Sequence, residues 1–571
     1  MSNTVNKPNY IFEVSWEVCN KIGSIHTVIS TKSIIEQKEF GDNYILIGPD
    51  VWRENKEHPE FEEENNILTG WKQRALSEGL RVRVGHWKIT GSPLVILVDF
   101  TTYFQKKDEI FSYFWDLYKL DSISGQWDYI EPSLFGYASG LVIESYVKYY
   151  LTSKEKVVAQ FHEWMTGAGL LHLKKQLPQV GTIFTTHSTV LGRTIAEHNQ
   201  PLYSKLKEYK SDEKATEFQV VSKQSMEKTC ARNADSFTTV SDLTSRECKH
   251  FLDKEVDLIT PDGFEDSFVP IADFDNLRKE SRELMLRVGS AVIEHQLSED
   301  TFLIGTSGKY EFKNKGIDLF IEALGNLNKN GDLSKEILAY IFVPANHYGP
   351  RKDLLQKLNN NTFQHKSEKH FTHNLHYTEH DPVLNKIKAA GLENKPEDKV
   401  KIIFSPVDLD GNDGVFNRFY HDIMIGLDLT IYPSYYEPWG YAPVESLALK
   451  IPSVTTTLSG FGLWIKDKVK DTDHGVFVLN RNDSNESEVV DGIAVAIQKM
   501  QSLNEEQIKN AREKAFEISR LALWSNLIDY YKEAYSFALD KVGTRVDSVV
   551  ETERVEELPE VELDLGITTR W

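Results

Sequence analysis

The sequence predicts an α/β protein with two large domains, each built on a parallel sheet, and three observations support this. The chain has 571 residues, which is too long for a single hydrophobic core and makes two domains the default. Short apolar runs, many of them β-branched, alternate with amphipathic segments of helical length, as in βαβ units. A charged segment with helical periodicity, Ile271–Asp300, separates two such series. We therefore place the domain junction near residues 270–300.

The apolar runs predict strands in both halves of the chain. Those in the first half are Tyr10–Val14, Tyr44–Ile47, Leu94–Val98, Val157–Phe161, Thr182–Thr186 and Phe237–Val240. Those in the second half are Phe302–Thr306, Ala339–Val343, Lys401–Phe404, Leu429–Tyr432 and Ser453–Thr456. Strands that alternate with helices in this way form parallel sheets.

Beyond Leu503 the pattern changes to one long amphipathic helix, predicted over residues 501–545 and expected to pack across the domains. Asn504 and Gln507 make a capping box at its start. The tail, residues 546–571, carries many Glu and few aromatic residues, so we predict that it is disordered.

Composition excludes several classes of function. The formal net charge of -21 argues against general affinity for nucleic acid or for an anionic membrane surface. The three cysteines form no CxxC pattern, so neither a disulfide framework nor a zinc site is indicated. No apolar stretch approaches the length of a membrane span, and the N-terminus lacks the core of a signal peptide. We expect a cytoplasmic protein.

The segment Pro433–Glu445, PSYYEPWGYAPVE, is the first candidate site. It follows a predicted strand, and open α/β sheets bind ligands in the loops that leave parallel strands. Glu437 and Glu445 could hold a sugar hydroxyl and a ribose, and the turn between them, Trp439, Gly440 and Tyr441, could contact the same donor. The alternative is a Pro/Gly turn with a solvated glutamate.

Two segments of the first half also end predicted strands and carry polar side chains. Glu17–Ile25 places Lys21 and Gly23 at a strand-to-helix turn, where backbone N–H groups at a helix N-terminus favour phosphate. Phe161–Gly169 places His162 directly after a strand, where a structural hydrogen-bonding role is the alternative.

The remaining two segments supply cations. Arg193 lies close behind a strand end in the segment Thr185–Arg193, although a surface ion pair is the usual role of a single arginine. The segment Thr306–Gly316 carries Lys309, Lys313 and Lys315, and a basic cluster in so acidic a chain indicates a local anion. A solvated loop is the alternative there.

These cations suggest how a leaving diphosphate is neutralised. Fixed charges aimed at the developing negative charge are an effective catalytic device, and Arg193, Lys309 and Lys315 would supply them. A divalent metal on an Asp-x-Asp pair is the other solution. The candidates Asp273/Asp275 and Asp408/Asp410 lie in polar linkers, where we favour solvated carboxylates. We expect no metal and no other cofactor.

Five segments together resemble the eukaryotic-type glycogen synthases: FEVSWEVCNKIGSI, FHEWMTGAG, FTTHSTVLGR, TSGKYEFKNKG and SYYEPWGYAPVESLALKIPSVTTTLSGFG. The resemblance implies a GT-B fold, with an N-terminal Rossmann-like domain (1–285) on the acceptor side and a C-terminal Rossmann-like domain (286–500) on the donor side. It implies retaining transfer of glucose from UDP-glucose to the 4-hydroxyl at the non-reducing end of an α-1,4-glucan such as glycogen.

The resemblance also assigns roles to the candidate residues. Arg193 and Lys315 would contact the donor phosphates and stabilise departing UDP, and Lys309 would do so where the family usually has arginine. Glu437 would lie at the glucose, where we favour front-face departure over a covalent intermediate. Glu445 would hold the ribose, and His162 would lie near the reacting sugar.

Some properties differ from the family or stay open. The segment Leu503–Leu539 contains only Arg512 and Arg520 where animal and fungal members have an arginine-dense helix that senses glucose 6-phosphate; we therefore expect no activation by that compound. We expect a homo-oligomer. The alternatives are ADP-glucose as donor, another acceptor, a nucleotide-sugar epimerase, or a non-catalytic glucan-binding scaffold.

Overall fold

The computed structural model describes residues 6–52, 57–360, 368–469 and 474–555. Its first sheet has nine strands: β1 Tyr10–Val14, β2 Tyr44–Pro49, β3 Phe61–Glu63, β4 Val82–Trp87, β5 Leu94–Val98, β6 Val157–His162, β7 Gly181–Thr186, β8 Ser236–Thr239 and β9 Leu258–Ile259. Their order is β3-β4-β5-β2-β1-β6-β7-β8-β9. The six predicted strands all lie in its parallel part, whereas β3 and β4 add an antiparallel edge.

A second sheet follows the predicted junction. Its strands are β10 Phe302–Ser307, β11 Ile337–Phe342, β14 Val400–Ser405, β15 Leu429–Ile431, β16 Ser453–Thr456 and β17 Val476–Leu479, in the order β14-β11-β10-β15-β16-β17. Every pairing in it is parallel. A separate antiparallel pair joins β12 His347–Pro350 to β13 His373–Leu375. The prediction of two domains on largely parallel sheets is therefore confirmed as architecture.

Helices cover the faces of both sheets, which explains why most of the strands are apolar along their whole length. The helices around the first sheet are Ser24–Phe40, Thr69–Ser77, Lys107–Tyr118, Trp127–Tyr150, Glu163–Gln176, Val190–Glu197, Ser211–Glu217, Val221–Asn233 and Asp242–Phe251. From the junction onwards they are Phe274–Ile293, Ile317–Asn330, Lys352–Asn360, Pro382–Ala390, Tyr420–Met424, Tyr441–Ala448, Gly460–Lys466 and Glu486–Gln501. No helix in the described part of the chain is long and apolar enough to cross a membrane.

The C-terminal segment forms two helices rather than the one predicted. Glu505–Arg520 begins with the predicted capping box of Asn504 and Gln507, and Trp524–Val555 follows a short break. At the break, Leu523 forms a β-bridge with Phe264, so the backbone leaves the helical path to pair with another segment. The second helix runs past residue 546, where we predicted disorder, and residues 556–571 lie outside those described.

The two C-terminal helices pack on different sheets. Ala515 and Ile518 of the first helix belong to the core around the second sheet. Trp524 and Tyr531 of the second helix are buried in the core around the first sheet. The end of the chain therefore holds the two sheets together on one side.

Candidate functional site

A cleft of about 1150 Å³ lies between the two sheets, where loops leave the carboxyl ends of their strands. Such loops are where open α/β sheets bind ligands. The structure brings ten of the eleven candidate residues to its wall: Lys21, Gly23, Arg193, Lys309, Lys315, Glu437, Trp439, Gly440, Tyr441 and Glu445. His162 is the exception. The cleft thus gathers residues from loops that follow β1, β7, β10 and β15.

Lys315 and Glu437 form an ion pair in this cleft, with the lysine ammonium donating to Oε2 of the carboxylate. Gly316 makes the approach possible. Its backbone has φ +69, and an added Cβ would lie 2.0 Å from the carbonyl oxygen of Pro433. No other residue could place the loop after β10 so close to the loop after β15.

The turn between the two acids is held from both sides. Gly440 has φ +112, a conformation that side chains rarely adopt. Trp439 is buried, and its carbonyl accepts a hydrogen bond from Ser459 at 2.8 Å. The Tyr441 hydroxyl donates to the carbonyl of Gly263 at 2.9 Å, which ties the turn to a segment that follows the first sheet. The tryptophan and tyrosine therefore support the turn as well as line the cleft.

Glu445 lies on the helix after this turn, beside aromatic side chains that the sequence did not single out. Its Oε1 atom is 3.9 Å from Nε2 of His421. The His421 ring stacks on Phe268 with a centroid distance of 3.9 Å, and Tyr420 also lines the cleft. At this end of the cleft, aromatic rings therefore lie next to the carboxylate of Glu445.

Arg193 reaches from the first sheet toward the second. Its Nη1 atom is 3.7 Å from Oε1 of Glu311, and its guanidinium lies 5.7 Å from the Tyr436 ring centroid. Tyr436 in turn donates a hydrogen bond to Glu247 at 3.2 Å. Burial raises the pKa of Glu247 to about 7. The cation predicted from sequence is thus part of a contact between the two halves.

The phosphate site expected near Lys21 and Gly23 is filled by the protein itself. Oε2 of Glu17 accepts hydrogen bonds from the backbone N–H groups of Gly23 at 2.8 Å and His26 at 2.9 Å. A Cβ on Gly23 would lie 2.8 Å from Oε1 of Glu17. Lys21 and Gly23 line the cleft, but this helix N-terminus already holds a carboxylate, which sequence spacing did not reveal.

His162 lies behind the cleft wall rather than at it. Its ring is buried, with Nε2 2.7 Å from Oε1 of Glu13 and Nδ1 2.9 Å from Nε2 of His187. His187 is the histidine that lines the cleft. It belongs to the same TTHSTVLGR segment as Arg193 and directly follows β7, so the strand-end rule could have found it.

Asp408 and Asp410 are exposed, as expected of solvated carboxylates, and they also line the cleft. Asp273 and Asp275 do not line it. Among the residues that the structure describes, no group of three or more His, Cys, Asp or Glu side chains is placed to hold a metal ion.

Arg512 and Arg520, the two arginines of the segment Leu503–Leu539, lie in different surroundings. Arg520 pairs with Asp266, but Arg512 lies beside Arg282 and Asp428 at a small pocket. Asp428 also binds Arg278, from the same helix as Arg282. The expected insensitivity to glucose 6-phosphate stays a prediction, which the reaction rate with and without that compound tests.

Comparison with known proteins gives one consistent family. A family model described as glycogen synthase matches residues 13–356 and 351–560. The glycogen [starch] synthase of Caenorhabditis elegans is 30% identical over 609 residues, covering 95% of this chain and 89% of the relative. That of Neurospora crassa is 29% identical over 597 residues, with 93% and 84% covered. The liver glycogen [starch] synthase of Rattus norvegicus is 29% identical over 591 residues, with 93% and 83% covered.

Solved structures agree on the fold. The catalytic domain of starch synthase IV from Arabidopsis thaliana, bound to ADP and acarbose, has a TM-score of 0.54 at 14% identity and covers 93% of this chain and 99% of its own. An α,α-trehalose-phosphate synthase (UDP-forming) from Burkholderia vietnamiensis has a TM-score of 0.52 at 10% identity, with 91% and 95% covered. These are GT-B glycosyltransferases, so the predicted GT-B fold is confirmed.

Proposed function

The chain belongs to the glycogen synthase family, and we propose that it transfers glucose from UDP-glucose, with retention, to the 4-hydroxyl at the non-reducing end of an α-1,4-glucan. Membership makes it a glycosyltransferase that elongates glucan. The finer proposal rests on one observation, that three cationic side chains and two carboxylates line the same cleft. Arg193, Lys309 and Lys315 form the cationic part, and Glu437 and Glu445 the acidic part.

The cations serve the leaving group. When the bond from the anomeric carbon to the phosphate oxygen breaks, negative charge collects on the diphosphate. Arg193 and Lys315 both line the cleft, where they pair with Glu311 and Glu437 respectively. Cations placed where negative charge develops stabilise the transition state. We propose that these two residues stabilise departing UDP and that Lys309 binds the diphosphate.

Glu437 contacts the glucose but does not act as a covalent nucleophile in this proposal. Hydrolases that retain configuration place two carboxylates about the bond, whereas we assign only Glu437 to the glucose. In the front-face route, the acceptor hydroxyl bonds to the anomeric carbon on the side that the phosphate leaves. Its proton passes to the departing phosphate oxygen. Glu437 then orients the glucose and stabilises its developing positive charge, and Glu445 holds the ribose.

The eukaryotic relatives support UDP-glucose over ADP-glucose as donor. We also propose that the enzyme works in the cytoplasm, because Cys19, Cys230 and Cys248 are all buried and unpaired, as in proteins kept reduced. We retain the proposals that it needs no metal and that it is a homo-oligomer.

The test is the incorporation of labelled glucose into glycogen from UDP-glucose or ADP-glucose, with and without EDTA. Wild type should label the polymer from UDP-glucose, in EDTA as well. Glu437→Ala should lose the activity. Glu393→Ala is the control, because it removes an exposed carboxylate that also pairs with a lysine, Lys395 at 2.7 Å.

Other outcomes would contradict the proposal. Faster labelling from ADP-glucose would replace the donor. Binding of glycogen with no transfer from either nucleotide sugar would indicate a scaffold. Conversion of the labelled donor without a labelled polymer would indicate an epimerase, and full turnover by Glu437→Ala would remove that residue from the mechanism.

A further inference from the structure

A line of hydrogen-bonded side chains runs from the cleft into the core of the first sheet. It begins at His187, which follows β7, passes through His162 at the end of β6, and ends at Glu13 in β1. The three side chains lie at the carboxyl ends of adjacent parallel strands. All three residues are buried, with 8%, 1% and 0% of their surface exposed. Only His187 reaches the cleft wall.

Glu13, at the inner end of the line, can only accept hydrogen bonds. Oε1 of Glu13 is 2.8 Å from the ammonium of Lys32, and Oε2 accepts a hydrogen bond from the Tyr44 hydroxyl. Burial alone would raise the pKa of Glu13, but Lys32 and His162 lower it to about 2. Glu13 is therefore a carboxylate with no proton to donate, and Nε2 of His162 must carry the proton in their 2.7 Å hydrogen bond.

The protonation state of His162 determines the direction of its hydrogen bond with His187. Burial lowers the pKa of His162 to about 4, despite the hydrogen bond to Glu13. The ring is therefore neutral near pH 7, and its Nδ1 atom has a lone pair instead of a proton. Nδ1 lies 2.9 Å from Nε2 of His187, so Nε2 of His187 must be the donor.

We propose that Glu13 and His162 are positioning residues that fix the His187 ring with its proton on Nε2, so that the lone pair of Nδ1 can accept a hydrogen bond from a sugar hydroxyl in the cleft. Nδ1 is 3.9 Å from Oδ2 of Asp262, which also lines the cleft. The identification of the hydroxyl rests on the proposed function, whereas the fixed tautomer rests on the hydrogen-bond distances and on the protonation states of Glu13 and His162.

Charged groups on several elements face His187. Asp262 lies beside Nδ1 and accepts a hydrogen bond from Tyr531 of the C-terminal helix at 3.2 Å. Glu163 accepts the backbone N–H of His187 at 2.7 Å, and Glu17 lies in the loop after β1. Burial lowers the pKa of His187, but Asp262, Glu163 and Glu17 outweigh it, so the pKa is raised.

The hydrogen bond to His162 adds to this effect. A charged imidazole donates more strongly than a neutral one, so the bond from Nε2 to His162 favours the protonated form of His187. Removal of the acceptor on His162 should therefore lower the pKa of His187. A purely structural histidine behind the wall would leave the pKa of His187 unchanged.

The chain offers a matched control. His172 is also buried in the first domain and lies 2.6 Å from a glutamate, Glu144, through Nε2. Its Nδ1 atom has no hydrogen-bond partner, and it does not line the cleft. Substitution at His172 removes a histidine–glutamate pair without touching the line to His187.

The experiment is nuclear magnetic resonance of the full chain labelled with 15N-histidine, with His187→Gln to assign the signal. Wild type should show the Nε2–H tautomer of neutral His187. His162→Gln can still donate to Glu13 but cannot accept at the position of Nδ1, so the pKa of His187 should fall by about one unit. His162→Asn keeps an acceptor near the position of Nδ1, so the pKa of His187 should fall less. His172→Gln should leave the pKa of His187 unchanged.

The same variants are then assayed for glucosyl transfer. His162→Gln should lower kcat/KM by about 10²-fold, as misplacement of a reacting group does, and His162→Asn should recover part of the loss. An Nδ1–H tautomer in wild type would overturn the inference even if His162→Gln fails to fold. So would equal effects of His162→Gln and His172→Gln. A wild-type protein that transfers no glucose would overturn the proposed function, while the tautomer would still decide the inference.

Discussion

The ammonium of Lys315 is bound to the carboxylate of Glu437 in the cleft between the two sheets. The proposed roles place the lysine at the diphosphate and the glutamate at the glucose, so the pair spans the bond that breaks. Their side chains are 20% and 19% exposed at the cleft wall, so a diphosphate that enters the cleft can reach the ammonium. A bound diphosphate can then take over Lys315 and leave Glu437 beside the sugar.

Lys315→Ala should lower kcat by about 10²- to 10³-fold, the effect of removing one group that stabilises developing charge. The KM for UDP-glucose should change less, because the lysine has to leave Glu437 before it binds the donor. Steady-state rates at saturating glycogen measure both constants. Lys395→Ala, which breaks an exposed lysine–glutamate pair elsewhere, is the control. A rise in KM with unchanged kcat would contradict a role in the transition state.

Lys309 should affect binding of the donor more than its reaction. Its side chain is exposed at the cleft wall, and lysine is a point charge, without the two-pronged geometry of arginine. Lys309→Ala should raise the KM for UDP-glucose by roughly tenfold, and Lys309→Arg should lower it below the wild-type value. Both differences should shrink in high salt, which screens exposed charges. Equal KM values for the three proteins at low salt would exclude a contact with the diphosphate.

The strands were predictable because parallel strands covered on both faces are apolar throughout. All eleven predicted runs are strands, and the described strands that were not predicted are β3, β4, β9, β12, β13 and β17. In β4, Arg83 and His86 interrupt the apolar pattern. Because the strands could be located, the loops that leave them could be located too, and these loops supply most of the cleft wall. The rule that sites follow strand ends could not choose between His162 and His187, because that depends on which residue extends beyond the sheet. Glu17 accepts hydrogen bonds from backbone N–H groups at a helix N-terminus. That contact depends on the path of a loop, which the periodicity of apolar residues does not predict.

Asp428 should be important for stability. It accepts hydrogen bonds from Arg278 and Arg282 at 2.6 and 2.7 Å and from the backbone of Leu303 at 2.9 Å. Asp428→Ala leaves two arginines without their carboxylate and should cost about 3–5 kcal/mol of unfolding free energy. Urea unfolding measures the loss, and Asp529→Ala, an exposed aspartate on the last helix, is the control.

The loss at Asp428 should depend on pH in a defined direction. Burial raises its pKa, but the arginines lower it further, so the folded-state pKa lies below the usual value of 3.8. The stability that the carboxylate contributes is then present above about pH 4 and lost as the pH falls through the folded-state pKa. The difference between wild type and Asp428→Ala should narrow below pH 4. A difference that stays constant down to pH 2 would show that the charge is not responsible.

Glu36 should show the opposite dependence on pH. It lies buried on the helix Ser24–Phe40, where Oε1 accepts a hydrogen bond from Tyr535 at 2.5 Å and Oε2 has no partner. Burial raises the pKa of Glu36 from 4.5 to about 7, although Lys32 opposes the shift. The folded protein therefore keeps a proton there between pH 4.5 and 7 that the unfolded chain has released. The stability that protonated Glu36 contributes to the fold is fully present below pH 4.5 and is lost as the pH rises through 7.

Glu36→Gln imitates the protonated side chain at every pH. It should leave stability nearly unchanged at pH 5 and raise it by about 3 kcal/mol at pH 8, the equivalent of the pKa shift. Guanidinium unfolding followed by tryptophan fluorescence at both pH values tests this, since Trp524 is buried in the same core as Tyr535. Glu39→Gln on the same helix is the control. The pKa of Glu39 is lowered through its contacts with Lys532 and Lys7, so that substitution should not stabilise the protein at pH 8. An equal effect of Glu36→Gln at pH 5 and pH 8 would show that Glu36 does not hold a proton in the folded protein.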